Sequence, residues 1–423
     1  MANFPSVIDT FINPSGTSLL AVVDHSLQHV NINNAMGAVE TKVGIDNSSD
    51  VNSLDYKVKH IDVSGSLNIY NVKSYGAKGD GTTDDSLAIG SAITAIGTSD
   101  GNMYFPPGNY LVSQSNSITN QMSVSGAGRN SSIITTNNGT ANIFVVSTDN
   151  PIKFCDLGFN SSVTRTGGAA IQLNGAGTAT TNNFSSISRC QILNQYIGID
   201  IVAASLFYIE DNYIAESYKY GIRMRNTVNP DSGDASIIGN TIDSSRAATY
   251  GVYHLSGGGL RFINNKINRH QVGYYVDIEN GAPSSLLFIE GNSIEGQSAQ
   301  SMIFGRSSGT GTLSGITIVG NEINSSLGNT SLYVTDGGYT NFVINDNYVV
   351  GNTGTAAAIG FNLNAISGAI AQGNMFVNFN TGIILGTGAT NVYYGPNAYF
   401  GCSTAVTNSG GASNGAYTTK MAA

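Results

Sequence analysis

Four side chains capable of binding or proton chemistry stand at matching places in four short phrases. The phrases open on glycine: GIDI at Gly198, GIRM at Gly221, GVYHL at Gly251 and GYYVDI at Gly273. Alternation along a strand puts Asp200, Arg223, Tyr253 and Tyr275 on one outward face, each two residues after its glycine. Arg225 and Asp277 follow two residues later, and nearby turns add Glu216, Asp231, Asp234 and Glu279. Tyrosine rings can lie against sugar rings, with arginines and carboxylates between them to bond hydroxyls, as a polysaccharide groove requires. On this reading Asp200 and Asp277 are candidate acid–base groups, and Arg223, Arg225, Tyr253, Tyr275 and Glu279 candidate substrate contacts. The competing reading is an ordinary solvated sheet face. Recurrence over four phrases is what favours the groove.

A second candidate face carries the carboxylates Glu210 and Glu290, with Asp211, Glu295 and Glu322 close in sequence. Glu210 and Glu290 are three repeats apart, about 14 Å at roughly 4.8 Å per strand, too far for a hydrolase pair within one chain. In a trimer a neighbouring chain could complete either face. No zinc-ligand spacing and no phosphate loop is present, so no metal or cofactor is expected.

The elements that must carry these groups announce themselves by repetition. FYIEDNYI, SIIGNTI, RFINNKI, LFIEGNSI, TIVGNEI and VINDNYV each hold an asparagine with an apolar residue two places on. Those asparagines, Asn212, Asn240, Asn265, Asn292, Asn321 and Asn347, are spaced by 28, 25, 27, 29 and 26 residues. Apolar residues also recur five and three places before each one, the period-two signature of a strand with one buried face. A strand phrase at a fixed long period means a solenoid, because no copy can bury its face alone. Cys190 and Leu157 take the asparagine position upstream; Asn397 fits downstream, and Asn374 fits with a one-residue shift of its strand. The asparagines are expected to point inward and bond from coil to coil. That predicts an all-β solenoid of about 10 coils, with at least two strands per coil.

Composition agrees. Hydrophobic residues at 41% supply a continuous core, while 52 glycines and only 11% charged residues suit many tight turns. The net charge of -9 argues against nucleic acid or an anionic membrane as partner. Three cysteines are too few for a disulfide framework, and no apolar run is long enough to insert in a membrane. MANFPSVIDTF lacks a basic region followed by an apolar one, so export by a signal peptide is not expected.

Residues 1–66 stand outside the repeat. A mostly helical stretch, with Ser18 as cap and Gly44 as stop, precedes DVNSLDYKVKHID, where Val51, Leu54, Val58 and Ile61 form a short a/d seam. That seam suits either a trimeric neck or an amphipathic helix packed on the rod. His25, His29 and His60 lie here as exposed or packed side chains rather than ligands. Next come NVKSYGAKGDGTTDD, a helix in which Leu87, Ile89 and Ile93 form an apolar side, and YFPPGNYLV. Thr83 is the expected helix cap, with Asp84 and Asp85 in the first turn beside the helix dipole. For Asp80, Asp84 and Asp85, turn and capping chemistry outweighs metal binding or catalysis.

This run, with the repeats behind it, resembles the opening of the pectate-lyase-like right-handed parallel β-helix superfamily over roughly residues 67–400. The resemblance implies a fold far more than an activity, since lyases, hydrolases and phage tailspikes share it. The polygalacturonase-type pattern of NTD, paired Asp and GHG is absent, as is an arginine-rich lyase motif. A helical module ahead of such a rod is similar in order to phage tail spikes and fibres. It implies a homotrimer on the virion, attached to phage tail or capsid proteins through residues 1–66 and released by host lysis. The opening and cap segment would then be 67–113, the β-helix 114–406 and a polar tail 407–423. The expected function is binding of a host surface glycan, with its depolymerisation by hydrolysis or elimination left open. The alternatives are a purely structural virion fibre and a pectate-type lyase.

Overall fold

The structure is a computed structural model describing residues 25–43, 52–60, 68–98, 100–174, 182–225, 234–246, 249–255, 258–277, 283–306, 311–325, 329–351, 358–411 and 414–416. The chain winds into a parallel β-solenoid of about 11 turns. Three sheets run along it: sheet A with fourteen strands, sheet B and sheet C with thirteen each. Each full coil contributes one strand to A, then B, then C, so every strand pairs with its counterpart one coil on. The coil at Asn292 shows the pattern, with Pro283–Glu290 in A, Ser293–Glu295 in B and Gln300–Gly305 in C.

The recurring phrase is the tight corner from A to B. The residue before each ladder position has a positive φ: Asp211 56°, Gly239 68°, Asn264 53°, Gly291 63°, Gly320 64° and Asp346 56°. That is why Asp, Asn or Gly precedes the asparagine, since these residues tolerate the left-handed region. The ladder itself is as expected. The backbone N–H and side-chain Nδ2 of Asn292 both donate to Asn321 Oδ1 at 2.9 Å, and Nδ2 also donates to the Phe262 carbonyl at 2.9 Å. The same bonding starts at Cys190 and runs through Asn212 to Asn397. The side-chain amides of the ladder asparagines are thereby satisfied.

Several expectations need correction. Asn374 requires no shift: Ala371 pairs with Ile344, Ala369 and Ala371 face the core, and Ile370 faces out. Alanines hid the register because the bulky neighbour drew the alternation one place off. Coils begin inside residues 67–113, where Ile69–Asn71 pairs with Asn102–Phe105 and Asp80–Asp84 with Gly108–Val112. They also continue past 406, because Thr404–Asn408 pairs with Thr381–Leu385 and Gly415–Ala416 with Tyr393–Tyr394.

Three α-helices are described: α1 (His25–Val43), α2 (Leu54–His60) and α3 (Ser86–Ile96). Leu54 and Val58 of the seam are 54% and 56% exposed; Ser18, Gly44, Val51 and Ile61 lie outside the described residues. α3 follows the first sheet B strand, where later coils place their sheet C strand. It buries Ile89, Ala92, Ile93 and Ile96 on the first coils, whereas Leu87 is 78% exposed. Thr83 belongs to a strand and is not the cap. Asp84 instead accepts from the N–H and hydroxyl of Ser86 at 3.0 and 2.6 Å. Asp85 folds back to accept from the Lys78 and Gly79 N–H groups at 2.6 and 3.0 Å, closing the GAKGDG turn. Asp80 accepts from the N–H groups of Thr82 and Thr83, so all three aspartates are structural.

Candidate functional site on sheet C

The sheet C strands that matter are Ile197–Ser205, Tyr220–Met224, Tyr250–His254 and Val272–Asp277. Their register aligns Asp200 with Arg223, Arg223 with Tyr253, and Tyr253 with Tyr275. The opening glycines are required by coil contact. A Cβ on Gly221 would sit 2.6 Å from the Gly251 carbonyl oxygen, and one on Gly251 2.5 Å from that of Gly273. Bare backbone there lets successive strands enter in step, which brings the outward side chains into one stripe.

Asp200 is the electrostatic centre. Its carboxylate is 0% exposed and receives Arg223 at 2.8 and 2.9 Å, Arg225 at 3.4 and 3.1 Å, and Gln172 Nε2 from the preceding coil at 2.9 Å. Burial alone would raise its pKa. The arginine hydrogen bonds and charges outweigh that and hold the carboxyl below its ordinary value. Arg223 is held above its usual value: burial pulls it down, but the bond to Asp200 prevails. Asp200 is therefore an ionised anchor for two guanidiniums.

Beside it lies a tyrosine platform. Tyr220 and Tyr250 stack at 5.5 Å, Tyr250 and Tyr275 at 5.9 Å, and Tyr253 lies 5.0–5.2 Å from Tyr220, Tyr250 and Tyr275. Lys219 Nζ stands 5.7 and 5.4 Å from the Tyr220 and Tyr250 ring centres, and Arg223 lies 5.3 Å from that of Tyr220. The Tyr253 hydroxyl donates to Asp277 Oδ2 at 2.9 Å. Burial and that bond push the Tyr253 phenol well above its ordinary pKa, so it stays a donor at neutral pH. Asp277 is 0% exposed. Asp200 and Asp277 are thus closed to solvent, one bonded by the arginines and the other by Tyr253.

Among the sequence candidates, Asp200, Arg223, Arg225, Tyr253, Tyr275 and Asp277 come together. Glu279 and Asp231 lie outside the described residues. Asp234 sits in a turn at φ 52° leading to sheet A. Glu216 braces the B–C corner, accepting from Ser245 and lying 3.6 Å from Arg246, which stacks over Tyr218 at 3.8 Å. The second face does not form a cluster. Glu210 and Glu290 share one row of sheet A three coils apart, while Glu295 and Glu322 are on sheet B, with Glu295 paired to Lys266 at 2.8 Å. Sequence reasoning missed Tyr220, Tyr250, Lys219 and Gln172. A tyrosine directly before the coil glycine, in Tyr220–Gly221 and Tyr250–Gly251, was the available signal. A cavity of about 640 Å³ lies elsewhere, beside α3, lined by Ser91, Thr94, Gln114 and Asn116.

Residues 69–275 match the family model described as rhamnogalacturonase A/epimerase, pectate lyase-like. Over those residues the chain is similar to that pectate-lyase-like family. Among solved structures, the mannuronan C-5 epimerase AlgE4 A-module of Azotobacter vinelandii superposes with a TM-score of 0.70 at 18% identity, over 82% of this chain and 100% of that one. The Dettilon tailspike protein (gp208) gives 0.67 at 15% identity, over 86% and 73%. These likenesses are of fold. Among curated proteins, the mannuronan C5-epimerase AlgE6 of Azotobacter vinelandii is 38% identical over 80 residues, 17% of this chain. The matched stretch spans 9% of that epimerase's own length.

Proposed function

We propose that this chain is a phage tail spike or fibre whose sheet C face binds a host surface polysaccharide. The observation that carries the reading is the platform of Tyr220, Tyr250, Tyr253 and Tyr275 over three successive coils, flanked by Arg223, Arg225 and Lys219. Rings presented along a rod at one coil per roughly 4.8 Å suit an extended sugar chain lying parallel to the axis. The family model and the tailspike and epimerase likenesses support a β-helix of the kind found on carbohydrate. The virion setting, the trimer and attachment through residues 1–66 belong to the same proposal. The burial of Asp200 and Asp277 favours binding without cleavage over depolymerisation.

The test is affinity electrophoresis and calorimetry of the full chain with capsular and lipopolysaccharide preparations, with parallel assays for new reducing ends and unsaturated sugars. Retardation without product is the expected result. Product formation would restore Asp200 and Asp277 as acid–base candidates, and no binding by any host glycan would favour a purely structural fibre.

A further inference from the structure

We infer that the last coils of the rod are a contact surface for further copies of this chain, formed around the corner between sheets A and B. This deepens the trimer of the reading above and rests on it. The first observation is where charge stops. Past Asp346 the sequence holds no Asp, Glu, Arg or His and a single lysine, Lys420, so all 27 acidic residues lie at or before Asp346. The second is where large apolar side chains come out. Val343, Ile370 and Tyr393 follow one another in an outward row of sheet A. Around the tight corner Tyr348 and Met375 follow one another on sheet B, and Phe400 stands on its last strand. These six are 36% to 55% exposed. Glu322, the neighbour of Tyr348 one coil earlier, and Asp346 mark the border.

The chemistry of this surface fits protein better than sugar. Aliphatic Val343 and Ile370 offer no hydrogen bond to a hydroxyl, whereas uncharged tyrosine, phenylalanine and methionine are what the core of a protein interface favours. Polar groups beside them bond one another: Asn341 Nδ2 donates to Ser314 Oγ at 2.8 Å, and Thr390 Oγ1 to Ser367 Oγ at 3.2 Å. A partner can cover them without leaving those donors unpaired. The exposed apolar patch is on the order of 500 Å², and its neutral rim brings it near the roughly 800 Å² per partner of a stable interface. Charge selects the partner. Copies related by rotation about the rod direction meet at equal heights, each coil against its own counterpart. Along the earlier coils that sets acidic surface against acidic surface, since the chain carries a net -9. The last coils have no charge to oppose. The A–B corner is also the one corner that sheet C does not share, so contact there leaves the tyrosine platform open.

The test is analytical ultracentrifugation of the full chain over a range of concentrations, for the parent, Ile370→Lys, Met375→Lys and Ser236→Lys. Each variant adds one positive charge to an acidic chain and so lowers its overall self-repulsion; only a local contact makes a lysine weaken assembly. The parent should form trimers. Ile370→Lys and Met375→Lys should each raise the dissociation constant about tenfold or more, because each sets like charges against one another in a covered surface. Ser236→Lys, in the same outward row of sheet A on an earlier coil, should not. Circular dichroism checks that the coils are intact. Should a lysine disturb them, Ile370→Thr keeps a β-branched side chain and should still weaken assembly severalfold. A monomeric parent overturns the inference, as do folded Ile370→Lys, Met375→Lys or Ile370→Thr proteins that assemble like the parent, or an equal loss in Ser236→Lys. Affinity electrophoresis of the same proteins keeps the two readings apart. A monomeric parent that binds host glycan removes this contact alone, whereas assembly as stated without binding to any glycan removes the glycan reading and leaves the contact standing.

Discussion

At the scale of single residues, the ladder asparagines and the tyrosines make opposite demands. Asn292 gives both its amide protons to carbonyl oxygens, so Asn292→Asp would set a carboxylate oxygen against the Asn321 Oδ1 and Phe262 carbonyl acceptors. Two buried acceptor–acceptor contacts and an unpaired charge should cost roughly 2–5 kcal/mol. Thermal unfolding at neutral pH should show the loss, with partial recovery in acid as the carboxyl protonates; a melting temperature matching the parent would contradict the ladder geometry. The tyrosines are half-buried on the outer face of sheet C, outside the core, so their removal should spare the fold. Tyr253→Ala and Tyr275→Ala should each weaken glycan binding by about 1 kcal/mol through lost ring contact. Calorimetry with the host glycan reads this, and unchanged affinity in both variants would move the binding face off sheet C.

At the scale of elements, each corner of the coil has its own chemistry. The A–B corner carries the asparagine ladder. The B–C corner carries a second inward polar stack of Gln195, Ser217, Ser244, His270, Gln297 and Ser325, all buried. No alternation rule exposes that stack, because its members differ in type and their spacing from the ladder varies. His270 bonds Thr249 Oγ1 at 3.2 Å, and burial lowers its pKa from 6.5 to about 4. Between those values the unfolded chain binds the proton and the folded chain does not. Stability is therefore complete above about pH 7 and falls as the pH drops through 6.5 toward 4, by on the order of 3 kcal/mol. Denaturant unfolding across this range should show the decline in the parent, and His270→Gln should flatten it. An equal decline in the variant would assign the acid sensitivity to other groups.

At the scale of the whole molecule, the rod is a stack whose members depend on their neighbours, and its lower end is closed by α3 from within the chain. Removing residues 1–66 should accordingly leave the β-helix folded, because the first coil begins at Ile69 and α3 is retained. Circular dichroism should keep the parent β signal, and the melting temperature should stay within a few degrees. Oligomeric state is the more telling readout. α1 exposes Val30, Ile32, Met36, Val39 and Val43, and α2 exposes Leu54 and Val58, apolar side chains that a trimeric neck would cover. Light scattering should find the full chain trimeric and the truncated chain dissociating at lower concentration. A truncated chain that holds together as tightly would place the trimer contacts on the rod.

The solenoid, its ladder and the outward places of Asp200, Arg223, Tyr253 and Tyr275 were legible in the residues alone. Strand alternation and coil period are local properties that recur, and each copy reinforces the others. The sequence also carried the Asp, Asn or Gly before each ladder asparagine, although its cause, a left-handed turn, showed only in the backbone. Tertiary structure decided what spacing cannot encode. It joined Asp200 to Arg223, Arg225 and Gln172 from three coils, and covered Asp277 with Tyr253. It separated Glu210 and Glu290 from Glu295 by a corner, and turned Asp84 and Asp85 from a helix turn into a cap and a loop clasp. These depend on side-chain reach between coils and on burial, which one strand's alternation leaves open. A period fixes which residues share a face; only packing across the coils fixes which of them remain open to a ligand.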